Sequence, residues 1–238
     1  MTRSRILIVG GGSGMGLALG ELLLHGGAEV TIAGRSADRL AAAARRLDAP
    51  DRLRTHPVDV ADDEQVRRLA GDCGQLDHVV VTAADMTGAY GPLGDLDLDA
   101  ARAVLGTKVL GPWLVAKHIG IAPSGSLTFT SGIAAYRPAP GGSMVATANG
   151  ALESLVRALA LELAPVRVNA VSPGWVDTPI WDTFAGDAKQ ARLAAMAERL
   201  PGGRVGDPAD IARAFVAVLE NSFITGTVLH VDGGHRLV

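Results

Sequence analysis

The sequence predicts an α/β fold, doubly wound, with a seven-stranded parallel sheet carrying helices on both faces. Three observations predict it. Short apolar runs alternate with stretches of helical periodicity along the whole 238 residues, as successive strand–helix–strand units do. Right-handed crossovers between such runs wind helices onto both faces of one parallel sheet. A glycine-rich segment, Gly10-Gly11-Gly12-Ser13-Gly14-Met15-Gly16, closes the first strand and opens the first helix.

The strands are expected at 5–9, 28–33, 52–58, 76–82, 125–131, 166–171 and 226–231. Helical patterns fall between them at 14–25, 37–47, 62–71, 98–120, 143–163 and 208–220. Ser36, Asp62 and Asp207 stand where a side-chain oxygen would cap a helix start. No internal repeat, low-complexity tract or linker divides the chain, so residues 1–238 are read as a single domain. The stretch 179–206 exceeds an ordinary connection and has a helical pattern of its own. It is read as a lid or substrate loop, with a surface helix as the alternative.

Composition narrows the class. A hydrophobic content of 48% supports one sizeable core. A formal charge of −3 without a block of Lys and Arg argues against nucleic acid or an anionic membrane as the partner. The single cysteine, Cys73, excludes an internal disulfide and a thiolate-rich metal site, and suits a reduced compartment. No His, Cys, Asp and Glu grouping has metal-ligand spacing, so no metal is expected. The residues before the first strand carry no signal-peptide region and no apolar run has transmembrane length, so a cytoplasmic location is expected.

The glycine segment carries the chemistry. Glycines let the backbone take positive φ and bring its N–H groups close to phosphate oxygens, while the following helix N-terminus favours an anion. Placed between the first strand and first helix of an alternating chain, Gly10, Gly12, Ser13, Gly14, Met15 and Gly16 read as the pyrophosphate cradle of a Rossmann-like dinucleotide site. The second strand ends Ile32-Ala33-Gly34-Arg35-Ser36. An NAD-selective site would place an acid there for the ribose hydroxyls. Gly34 stands instead, and Arg35 with Ser36 can hold a 2′-phosphate, so the expected cofactor is NADP(H).

With Val58-Asp59-Val60, Arg167-Val168-Asn169-Ala170-Val171-Ser172-Pro173-Gly174 and Val231-Asp232-Gly233-Gly234, these segments make the chain resemble the short-chain dehydrogenase/reductase family nearly end to end. The resemblance implies Asp59 and Val60 at the adenine. It also implies Pro173, Gly174, Val176 and Thr178 at the nicotinamide end, with Thr178 near the carboxamide. Thr82, Ala83 and Ala84 stand where the family shows an Asn-Asn-Ala-Gly run, and Thr82 can still bond backbone there. Val9 replaces the usual threonine before the glycines.

The larger departure is catalytic. The family supplies a tyrosine acid, its pKa lowered by a lysine one helical turn later, and a serine that orients the carbonyl. Ser131 matches the serine by place, while Val145 occupies the tyrosine position and Asn149 the lysine position. Neither replacement can do the original job. Lys108, in turn, stands where the family has an asparagine, so lysine and asparagine have traded places. Ser131, Lys108 and Asn149 are therefore the candidate catalytic residues. Lys108 is expected as acid or electrostatic stabiliser, with Asn149 as its hydrogen-bond partner. Tyr136 lies too close to Ser131 in sequence to be the helix tyrosine, although a loop tyrosine there could reach substrate, and Thr147 should point away from the Val145/Asn149 face.

The reading that follows is an NADP(H)-dependent oxidoreductase acting on a small or medium apolar carbonyl or alcohol. Trp175, Ile180, Trp181 and Phe184 would wall its substrate site. The alternatives are a non-redox enzyme on the same scaffold and a catalytically silent NADP-binding sensor or partner. The family resemblance further implies a homo-oligomer, a dimer or homotetramer, paired through the helices at 98–120 and 143–163. Arg35→Ala is expected to weaken NADPH binding while leaving NADH binding nearly unchanged, as measured by titration of both. An equal loss for the two dinucleotides would remove Arg35 from 2′-phosphate recognition.

Overall fold

The computed structural model describes residues 3–238. Met1 and Thr2, part of the segment read as carrying no signal region, lie outside the described residues. Seven strands run as β1 (Arg5–Val9), β2 (Glu29–Gly34), β3 (Leu53–Pro57), β4 (Leu76–Val81), β5 (Ile121–Thr130), β6 (Arg167–Pro173) and β7 (Val228–Val231). Every pairing is parallel, and the order across the sheet is β3-β2-β1-β4-β5-β6-β7. The chain reverses its direction of winding between β1 and β4. At that switch point a crevice opens beyond the C-terminal ends of the strands.

Alternate residues of each strand serve opposite faces. Ile6, Ile8, Ile32, Val80 and Val171 pack under α1 (Gly14–His25), α2 (Ala37–Leu47) and α9 (Pro208–Glu220). Leu7, Val9, Val79, Phe129 and Ala170 pack under α3 (Asp63–Cys73), α5 (Gly111–His118) and α6 (Ser143–Glu162). Cys73 is a buried, free thiol at the end of α3, a packing residue. The expected caps form. Ser36 accepts from Arg39 N, Asp62 from Glu64 N and Gln65 N, and Asp207 makes a reciprocal capping box with Asp210.

One element departs from expectation in a way that matters. The single helix expected at 98–120 is α4 (Leu98–Leu105) and α5 joined through a π-helical turn, Gly106–Leu110, and it ends at His118. Pro112 explains the change of winding: it has no N–H to give the carbonyl of Lys108, and the Gly111 N–H reaches back to Gly106 O instead. The π turn holds Lys108. β5 also begins earlier than expected, at Ile121 rather than 125.

The excursion at 179–206 contains α7 (Ile180–Ala185) and α8 (Lys189–Arg199), joined by a short 3₁₀ turn. Its two ends meet in a parallel bridge between Val176 and Gly206, reinforced by Asp177 N to Gly206 O at 2.9 Å and Gly206 N to Trp175 O at 2.8 Å. The excursion is thus pinned at its base, beside the C-terminal end of β6. Among the described residues no helix is long and apolar enough to cross a membrane.

Asp207→Ala is expected to lower stability by about 1 kcal/mol through loss of the α9 cap. Denaturant unfolding checks this, with an unchanged midpoint as the contrary result.

Candidate functional site

The crevice at the β1/β4 switch point is built by close backbone approach. Gly10 has φ +95°, and a Cβ there would meet Thr82 Oγ1 and the Ala83 nitrogen. Gly16, in the first turn of α1, lies against the Gly10 carbonyl, and a side chain on it would strike that oxygen. Thr82 Oγ1 donates toward Val9 O at 3.3 Å and Gly10 O at 3.2 Å, the backbone role expected of it. The N-terminus of α1 has no side-chain cap from Ser13 and no acid in its first turn, which leaves its N–H groups open to an anion. Gly14 faces Thr178 at ordinary contact distance, so the loop after β6 is brought onto the glycine loop. These residues fit a pyrophosphate.

The far end of the crevice is narrower in meaning. Arg35, at the end of β2, pairs with Asp85 from the segment after β4 at 2.7 Å. Because β1 lies between β2 and β4, this pair spans the edge where the glycine loop emerges. The Ser36 oxygen is engaged as the α2 cap. Asp59 Oδ1 accepts from Ala61 N at 3.0 Å and shapes the turn into α3.

The proposed chemistry gathers where β5 ends. Lys108 is only 5% exposed, and its ammonium donates to the carbonyls of Thr130 at 2.8 Å and Ser131 at 3.3 Å. Burial pushes its pKa down to about 8, against the opposing pull of the Glu153 charge. Asn149 is buried beside the same turn, for a Cβ on Gly132 would lie 2.9 Å from its Nδ2. One expectation is corrected here. Asn149 is not the partner of Lys108, because its Oδ1 has no hydrogen-bond partner and the ammonium is taken by main-chain carbonyls. The Ser131 hydroxyl donates to Glu153 Oε1 at 2.6 Å, while the next residue, Gly132, is the one that lies against Asn149.

Val145 is sealed in an apolar cluster with Ala89, Val104 and Ala148, and Thr147 is exposed on the opposite side of α6. His118 is bonded to Asp63 at 2.7 Å and is structural. Tyr136 donates to the other oxygen of Glu153 and stacks edge-on against His230, with ring centroids 4.5 Å apart. Burial and the bond to Glu153 push its phenol pKa up to about 12.

Sequence reasoning missed Glu153. The available signal was its place four residues after Asn149 on α6, hence on the same face as Val145 and Asn149. Tyr90 was missed as well. Its ring meets Phe184 at 5.1 Å, Phe184 meets Trp181 at 6.2 Å, and Trp181 meets Trp175 at 4.4 Å. The aromatic row joins α7 to the segment after β4. Lys189 fastens α7 at its other side, reaching Asp177 at 2.9 Å and Asp182 at 3.0 Å.

Comparison with known proteins agrees with this geometry. Residues 10–236 match the family described as enoyl-(acyl carrier protein) reductase. The short-chain dehydrogenase/reductase MalC of Malbranchea aurantiaca is 35% identical over 250 residues, covering 98% of this chain and 94% of its own. Its solved structure, described as a reductase/Diels-Alderase, superposes with a TM-score of 0.91 over 100% of this chain and 98% of that one. A small-chain dehydrogenase solved with NADPH is 30% identical at TM-score 0.84, covering 99% of this chain and all of that one. The L-sorbose reductase of Gluconobacter frateurii, solved with NADPH and L-sorbose, is 25% identical at TM-score 0.91, with 100% and 98% covered.

Lys189→Ala should loosen α7. Amide hydrogen exchange across 180–185 is expected to quicken modestly, as befits loss of two surface ion pairs. Exchange that stays at the wild-type rate would show the lid is held by its aromatic contacts alone.

Proposed function

Because the chain belongs to the short-chain dehydrogenase/reductase family, we propose that it is an NADP(H)-dependent oxidoreductase that acts on a small or medium apolar carbonyl or alcohol with a buried lysine as its acid. NADPH, when bound, supplies the hydride. The pyrophosphate would rest on Gly10, Gly12, Ser13, Gly14, Met15 and Gly16, with Arg35 and Ser36 at the 2′-phosphate and Asp59 and Val60 at the adenine. Thr82, Ala83 and Ala84 would line the middle of the cofactor, and Pro173, Gly174, Val176 and Thr178 its nicotinamide end. Two similar structures hold NADPH, which supports this choice of cofactor. To bind the 2′-phosphate, Arg35 must share or leave Asp85.

Reduction of a carbonyl places the developing charge on oxygen, and that oxygen must take a proton to become an alcohol. Lys108 Nζ holds one on a donor not consumed by its two carbonyl partners. The observation that carries the reading is this buried ammonium, held at the end of β5 on the carbonyls of Thr130 and Ser131. Ser131 contributes its carbonyl, which helps fix Lys108, rather than its hydroxyl. The aromatic row from Trp175 to Tyr90 favours an apolar substrate and, with α7, excludes water. One observation favours a second reading, a silent NADP-binding protein: Val145 fills the tyrosine position with closed apolar packing. The exposed Trp113 and Leu161 support a homo-oligomer, for which sedimentation is the measure.

Oxidation of NADPH by a panel of apolar carbonyls tests the assignment. Lys108→Met should lose about 100-fold or more in kcat, while Lys108→Arg keeps the charge and part of the rate. In the wild type the rate of reduction should fall as pH rises through about 8, where Lys108 loses its proton. Unchanged rates in both variants would remove Lys108 from the chemistry, and NADPH binding without turnover of any carbonyl would favour the silent reading.

A further inference from the structure

One buried acid has no part in the chemistry above. Glu153 lies on α6 one turn beyond Asn149 and is 6% exposed. Its two carboxylate oxygens accept from Ser131 Oγ at 2.6 Å and from the Tyr136 hydroxyl. Ser131 is engaged at both ends, because its main-chain oxygen accepts from Lys108 Nζ at 3.3 Å. A single residue therefore separates a buried cation from a buried anion.

A charge held away from water needs donors or acceptors and a counter-charge. The two donors on Glu153 are neutral hydroxyls, and the two acceptors on Lys108 are neutral carbonyls. Among the described residues neither group makes an ion pair within 4.0 Å. The other ionisable groups around Glu153 sit on its outer side. His230 of β7 packs on the Tyr136 ring, and Arg157 and Arg236 act on the Tyr136 hydroxyl. Across Ser131, the Glu153 charge acts on Lys108.

We propose that Glu153 is the counter-charge that keeps Lys108 an ammonium, acting across Ser131 rather than by direct contact, which makes it a positioning residue of the site. The inference deepens the reading of Lys108 as the acid and rests on that reading for its effect on turnover; the electrostatic coupling itself does not. Ser131 then has a defined task. It sets the separation between the two charges, and Tyr136 closes the outer side of the carboxylate.

The chain has three lysines, Lys108, Lys117 and Lys189, so protein labelled with ¹³C at the lysine ε carbon gives three resolvable titrations by NMR, with Lys108→Met assigning one. Lys108 is expected to titrate well below Lys117 and Lys189. In Glu153→Gln its midpoint should fall by about one further pH unit, while Glu153→Asp, which restores the charge, should recover most of the difference. The Lys117 and Lys189 signals report that the fold is kept. Coupling is reciprocal, so Lys108→Met should raise the Glu153 midpoint by a similar amount, read from ¹³C-labelled glutamate carboxyls; this arm stands even where Glu153→Gln does not fold. An unmoved Lys108 midpoint in folded Glu153→Gln, or an unmoved Glu153 midpoint in Lys108→Met, overturns the proposal. Normal turnover in Lys108→Met would instead overturn the acid role and leave the coupling intact, so the two failures are distinct.

Discussion

The contact of α1 with the end of β1, with no side chain between them, is the constraint on which the crevice depends. Gly16 rests on the Gly10 carbonyl, and Thr82 bonds the same carbonyl from β4. A Cβ on Gly16 would drive the helix off that carbonyl, and one on Gly10 would strike Thr82 and Ala83 beyond β4. The approach aims the open N–H groups of α1 at the switch point between β1 and β4, where the helix dipole favours an anion. Since all seven strands are parallel, the loops that follow β2, β4, β5 and β6 come out at that same edge. Arg35, Thr82, Ser131 and Thr178 are brought to one edge by topology before any side-chain chemistry is considered.

The second constraint is the depth at which a lysine is held. An ammonium taken out of water is costly, and it persists here because two strand-end carbonyls accept from it and an anion lies one residue away. The π turn makes this geometry possible. By widening the helix at Gly106–Leu110, it changes the facing of Lys108 relative to an ordinary helix of the same length, and Pro112 enforces the widening. Val145 has no role in proton transfer and serves the packing of α6 against α4.

The excursion at 179–206 is held at several points. Its base is fixed by the Val176–Gly206 bridge, and its helix α7 is held by Lys189 on one side and by Tyr90 through Phe184 on the other. The aromatic surface it presents comes from a chain with only 4% aromatic residues, gathered at one mouth.

Much of this was readable from the amino-acid order. The alternation of strands and helices, the glycine loop and the caps at Ser36, Asp62 and Asp207 follow from local rules, in which a residue's conformational freedom or chemistry acts within a few neighbours, whereas Val145 and Asn149 were marked as replacements only by the family resemblance. Ser131 shows where that stops. Its place in the sequence marks it as a site residue, but the direction of its hydroxyl depends on the pleat at the end of β5 and on which acid α6 lays beside it. The same holds for Arg35, whose pairing with Asp85 joins residues 50 apart, and for Asn149, left without the lysine partner expected for it. By itself, then, the sequence determined the fold class and the residues brought to the crevice, because periodicity and backbone freedom are local. Only the tertiary structure decided that Lys108 is solvated by carbonyls and faced by Glu153, because burial and charge proximity depend on elements far apart in the chain.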